Sequence, residues 1–92
     1  MGSFMGGSAP AMAQQIADGN TLVSPVTLKR LTVQQMEALL FELEKRMREA
    51  RAEQPKLDDQ AALQARNRRI SRILGGVRVI KYQMQLRRRK GV

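Results

Sequence analysis

Leu31-Thr32-Val33-Gln34-Gln35-Met36 decides the fold class of this chain. Thr32 and Gln35, three residues apart, form a capping box. The Thr32 hydroxyl accepts from the backbone N–H of Gln35, and the Gln35 side chain reaches back to the N–H of Thr32. Leu31 before the cap and Met36 at the fourth helical position add a hydrophobic staple. Two independent local signals therefore set one helix start. Downstream, Met36, Leu40, Leu43, Met47 and Ala50 are spaced 4, 3, 4, 3, the narrow stripe of a helix packed on one other helix. Glu42–Arg46 and Glu44–Arg48 are i,i+4 pairs in the favourable order, each contributing about 0.2–0.5 kcal/mol. Phe41 falls about 140° from the Met36 direction, off the seam. It reads either as a tolerated exposed aromatic or as a contact for a neighbouring protein or an RNA base.

Pro55 ends this helix, and Asp58 or Asp59 is placed to cap the next one. So short a connection implies an antiparallel hairpin. The second segment carries its own seam at Leu63, Arg66, Ile70, Ile73, Val77, Ile80 and Met84, spaced 3, 4, 3, 4, 3, 4. Leu40 and Leu43 are expected to face Ile70, Ile73 and Val77 across the hairpin. With Ile73 at 0° on the helical wheel, Arg68, Arg72 and Arg69 lie at about 220°, 260° and 320°, an Arg face beside the packing face. Gly75-Gly76 interrupts the segment and has two readings. One is a helix end, with Gly supplying a left-handed residue. The other is a low surface that lets a phosphate backbone approach closely. After the glycines, Ile80, Tyr82, Met84 and Leu86 alternate with polar residues in a strand period, while Val77, Ile80 and Met84 continue the helical seam. A lone strand would have no partner within the chain, so we read a helix.

Working back from Thr32, Ser24-Pro25 predicts one short turn. Met1 to Pro10 is mostly Gly, Ser, Ala and Met, a composition too small to bury much. Residues 1–27 are therefore expected to form a flexible or extended arm. It lacks the basic start and apolar run of a secretory signal and the Arg of a mitochondrial presequence. Gly2 fails the myristoylation pattern because Gly6 stands where Ser or Thr is wanted. No run of 18 apolar residues exists, so no membrane span is expected. The expected organisation is all-α: an arm over 1–27, a two-helix hairpin over 28–86 with helices at about 32–54 and 59–84, and a basic tail over 87–92.

The chain has 92 residues, with 17 Lys and Arg against 8 Asp and Glu and neither Cys nor His. Disulfide frameworks, zinc fingers and thiol or imidazole catalysis are excluded. No paired carboxylates, nucleophile–base set or Gly-rich phosphate loop is present, so neither an enzyme, a metal site, a cofactor nor a small-molecule substrate is expected. Residues 1–59 carry seven basic and eight acidic side chains, whereas residues 60–92 carry ten basic and none acidic. One third of the chain thus makes the whole electrostatic case for a polyanionic partner. The candidate nucleic-acid contacts are Arg66, Arg68, Arg69, Arg72, Arg78, Lys81, Arg87, Arg88, Arg89 and Lys90, since forked, permanently charged donors suit phosphate. Gly75 and Gly76 are the close-approach positions, and Phe41 is the candidate protein contact.

Leu31-Thr32-Val33-Gln34-Gln35-Met36, followed by Leu40, Leu43, Met47 and Arg51, resembles the first helix of the large-ribosomal-subunit protein numbered twenty-nine. That family reads Leu-Ser-x-Glu-Glu-Leu and then Leu, Leu, Leu and Arg at the same intervals. Asn67-Arg68-Arg69-Ile70-Ser71-Arg72-Ile73 is similar to its second helix, Arg-Arg-x-Ile-Ala-Arg-Ile, with Asn67 in place of the first Arg. The resemblance covers roughly Leu28 to Ile80. It implies a two-helix hairpin bound to large-subunit rRNA near the nascent-chain exit, beside the protein numbered twenty-three, in a cytoplasmic or organellar ribosome. Two rival classes remain: a small virion or chromosome-associated DNA-binding protein, and a helical-bundle subunit that binds no nucleic acid.

Overall fold

The computed structural model describes residues 7–90, Lys90 by its backbone alone. Four helices follow in order: α1 (Ala9–Ala17), α2 (Pro25–Leu28), α3 (Val33–Ala52) and α4 (Gln60–Lys90), with no strand among the described residues. The all-helical class is as the periodicity predicts. The arrangement is not the two-helix hairpin expected, because α1 packs against both α3 and α4 and α2 packs against α4.

The start of α3 follows the local chemistry. Gln35 N donates to the Thr32 hydroxyl at 3.1 Å, and Thr32 N donates to Gln35 Oε1 at 2.8 Å. Leu31 and Met36, the two ends of the staple, are both buried. A second capping box starts α2, where Ser24 and Thr27 exchange the same pair of bonds at 3.3 and 2.9 Å. Asp59 caps α4 by accepting from Ala62 N at 3.0 Å.

Residues 9–17, expected within a flexible arm, are helical and part of the core. Ser8 accepts from Ala11 N at 3.2 Å and Pro10 sits in the first turn. Gly19, with φ +81°, closes the other end in the left-handed conformation that glycine adopts without cost. Ala9, Met12, Ala13, Ile16 and Ala17 are all buried, and their i, i+3, i+4, i+7, i+8 spacing is that of one amphipathic face. Because α1 covers α3 from a second side, the buried face of α3 is wider than the predicted seam. Leu39 is buried along with Met36, Leu43, Met47 and Ala50, while Leu40 is only half-buried.

The helix α4 runs 31 residues without a break, about 46 Å at 1.5 Å per residue. This accounts for most of the 52 Å long axis of the molecule. Neither Gly75 nor Gly76 has a positive φ, so the glycines do not end a helix. Close approach does occur at Gly76, but to protein. A Cβ there would lie 3.3 Å from Val23 Cγ2 and 3.5 Å from Ile16 Cγ2 and Leu43 Cδ1. Gly75 is exposed and a Cβ there meets nothing within 4 Å.

The pairing of α3 with α4 differs in register from the one expected. Leu40 lies beside Lys81 and Met84, and Met47 beside Leu74 and Val77, rather than Leu40 facing Ile70, Ile73 and Val77; Leu43 shares the core with Ile73 and Val77, as expected. Lys81–Glu44 at 3.9 Å and Arg88–Glu37 at 3.5 Å follow the same alignment. No residue of α4 before Ile73 is buried, so its first three turns overhang the end of α3.

The two glycines therefore predict opposite mutational effects. Gly75→Ala should raise the thermal midpoint, since a helix-interior Gly costs about 0.5–1 kcal/mol relative to Ala. For a domain this size that is several degrees, at about 4–8 °C per kcal/mol. Gly76→Val should lower it by overpacking the contact with α1 and Val23, about 1–3 kcal/mol. Thermal circular dichroism measures both, and matching increases would contradict the packing of α1 over Gly76.

Candidate nucleic-acid interface

The ten basic side chains of α4 divide by what they touch. Three act as caps for other helices. Arg66 donates from Nε to the carbonyls of Ala50 and Glu53 at 3.1 and 3.0 Å and from Nη2 to that of Arg51 at 3.1 Å, closing the C-terminus of α3. Arg72 Nε donates to Ala17 O at 3.0 Å at the C-terminus of α1, its stem lying against Gly19. Arg87 donates to Leu28 O at 2.7 Å at the end of α2, and also to Leu31 O. The last turn of a helix leaves carbonyls without intrahelical partners and carries partial negative charge, so a guanidinium answers both needs. Charge-assisted bonds of this kind contribute about 1.5–3 kcal/mol when shielded and less when exposed. These three residues, read from the sequence as phosphate contacts, are committed to the fold.

Three more are held in ion pairs. Arg69 reaches Asp18 at 3.2 Å, Lys81 reaches Glu44 at 3.9 Å and Arg88 reaches Glu37 at 3.5 Å. All six side chains are at least one-third exposed, so each pair contributes at most about 1 kcal/mol and exchanges readily for a phosphate. The Lys90 side chain lies outside the described residues.

Arg68, Arg78 and Arg89 remain. All three are exposed, and none has a hydrogen-bond or ion-pair partner among the described residues. They belong to one stripe, Arg68, Ser71, Gly75, Arg78, Tyr82, Gln85 and Arg89, spaced 3, 4, 3, 4, 3, 4 and exposed at every position. It is the packing seam of α4 displaced by five residues, hence about 140° around the helix. Tyr82, 60% exposed, is its only aromatic. At one end Arg68 joins Arg66, Arg69 and Arg72 around a shallow depression that also includes Glu53. The expected grouping of Arg68 with Arg69 and Arg72 thus holds in space, while only Arg68 is uncommitted.

Two features escaped the sequence reading. Tyr82 was legible as a member of the displaced 3–4 repeat, which becomes visible once α4 is known to continue past Gly76. Arg48 and Arg51 of α3, exposed beside Lys81 and Leu74, extend positive charge onto the neighbouring groove. Only the register of the helix pair brings them there. Phe41 is 61% exposed on α3. No helix among the described residues is long and apolar enough to cross a membrane. Comparison with protein-family models, with curated proteins and with solved structures finds no match.

Proposed function

We propose that this protein is a non-catalytic nucleic-acid-binding subunit whose ligand is large-subunit rRNA, as a structural constituent of a cytoplasmic or organellar ribosome. The observation that carries the nucleic-acid reading is the exposed set Arg68, Arg78 and Arg89, without a partner among the described residues, on a helix that contains no carboxylate. Using three guanidiniums as helix caps while three others have no partner among the described residues and share one face concentrates positive charge where a polyanion can reach it. The choice of rRNA rests on the resemblance of Leu31–Met36 and Asn67–Ile73 to the ribosomal family. Phe41 would then meet a neighbouring ribosomal or assembly protein. Contacts of this type position the protein on a phosphate backbone and carry little base information.

Affinity purification of the native particle through this chain should bring down large-subunit rRNA. Recovery of DNA instead would point to the virion or chromosome reading, and recovery of no nucleic acid would overturn the proposal. In vitro, replacing Arg68, Arg78 and Arg89 together by Gln should leave the thermal midpoint within a few degrees. The slope of log K against log salt should become shallower by about two to three units, at 0.7–0.9 per phosphate contact. Arg66→Gln should do the reverse, lowering the midpoint by removing the guanidinium shared by the Ala50, Arg51 and Glu53 carbonyls and leaving the slope unchanged. An unchanged slope in the triple variant would sink the assignment.

A further inference from the structure

The spacing of the free cations carries information about the shape of the polyanion. Arg68 and Arg78 are ten residues apart, and Arg78 and Arg89 eleven. At 1.5 Å per residue these intervals are about 15 Å and about 17 Å, and the three lie within an arc of about 80° on one straight helix. Consecutive phosphates on one strand of a stacked nucleic acid advance by only about 3.4 Å. A duplex differs: its two strands place two phosphate ridges in each turn of about 34 Å, one every about 17 Å on average. Grooves of unequal width make the ridges alternate around that mean, and the flexible reach of an Arg side chain absorbs a few ångströms of difference.

We infer that α4 lies along a double-stranded nucleic acid, with Arg68, Arg78 and Arg89 each on a successive phosphate ridge across about one helical turn. This rests on the phosphate-binding reading above and adds the form of the ligand to it. The positions between the cations fit the same geometry. Ser71 and the exposed Gly75, against which a Cβ would meet nothing, keep the surface low between the first two ridges. Between the second and third stands Tyr82, the sole aromatic of the stripe. Single-strand binders hold successive bases on several aromatic platforms, which this face does not provide. Duplex RNA and duplex DNA present the same ridge chemistry, so the inference is of a duplex, and the two are separated by measurement.

The full-length chain would be titrated with a twelve-base-pair RNA duplex and the matching DNA duplex, each about one turn long, and with the unpaired RNA strand of the same number of nucleotides. At least one duplex should bind about tenfold or more tightly than the single strand, the tighter one identifying the source. A hairpin-capped duplex of about six base pairs, too short to present three ridges, should bind about tenfold more weakly than the longer one. Tyr82→Leu should change duplex affinity by less than about threefold, whereas loss of a base-stacking contact costs about fivefold to a hundredfold. Single strand binding as tightly as duplex, with the Arg68, Arg78 and Arg89 triple Gln variant weakened towards both, would overturn the duplex inference and leave phosphate binding standing. A triple variant indistinguishable from the parent on every probe would overturn both.

Discussion

Leu43→Asp should leave the chain without a cooperatively folded state. Leu43 is fully buried, and its Cδ1 lies in the layer where α3, α4 and α1 meet, 3.5 Å from the Cβ position of Gly76. Removing the leucine forfeits about 2–5 kcal/mol of burial and packing. A carboxylate placed there is taken out of water, and the desolvation penalty adds several kcal/mol more. The total reaches or exceeds the stability expected of a small domain, at the low end of about 5–15 kcal/mol. Circular dichroism at 222 nm should show most of the helix signal gone and no sharp thermal transition, and nucleic-acid binding should fall to that of an unstructured basic peptide. Leu40→Asp, at the half-buried neighbour beside Lys81, should be far milder. A native midpoint in Leu43→Asp would show that this three-way contact does not hold the fold.

What could be read in the sequence, and what could not, follows the range of the interactions involved. The cap at Thr32, the turn at Ser24-Pro25 and the cap at Asp59 are set by residues within three positions of each other, so the local pattern suffices. The pairing of α3 with α4 is different. A 3–4 seam is satisfied equally well when one helix slides past the other by seven residues, and the observed alignment of Leu40 with Met84 and Met47 with Val77 is about one such step from the alignment expected. What selects it is the overhang of α4, which carries the half-buried Arg66 to the open carbonyls of α3. The roles of Arg66, Arg72 and Arg87 were hidden for the same reason: a basic residue becomes a cap only when a helix end arrives beside it, and periodicity within α4 does not say where α1, α2 and α3 stop. Charge counting therefore overcounted the side chains of α4 that the fold leaves free. The stripe of Arg68, Arg78 and Arg89 needed both facts, a continuous α4 and knowledge of which cations the fold uses.

Deleting residues 1–18 should destabilise the protein almost as severely as Leu43→Asp, although composition marks this segment as dispensable. Small side chains bury little area each, which is why Ala9, Ala13 and Ala17 read as an arm. Their value depends on how close the two backbones come, and Gly76, whose Cβ position lies 3.5 Å from Ile16 Cγ2, removes a side chain that would hold α1 away. Through that contact Met12 and Ile16 reach the core, where both are buried. Burying two such side chains contributes about 1.5–3 kcal/mol each, an upper bound given a partly collapsed unfolded chain. Without α1, Leu39 and Leu43 face water on one side, Arg72 loses the Ala17 carbonyl and Arg69 loses Asp18. These losses together approach the whole stability of the domain. The truncated chain should melt at least about 20 °C below the parent, at roughly 4–8 °C per kcal/mol, or fail to show a transition. Ile16→Asp separates packing from truncation, since it keeps every backbone cap and should still lower the midpoint by more than about 10 °C. A flexible arm would leave both midpoints within about 2 °C of the parent, as surface changes away from the core do, so that single comparison decides whether the first helix is part of the fold.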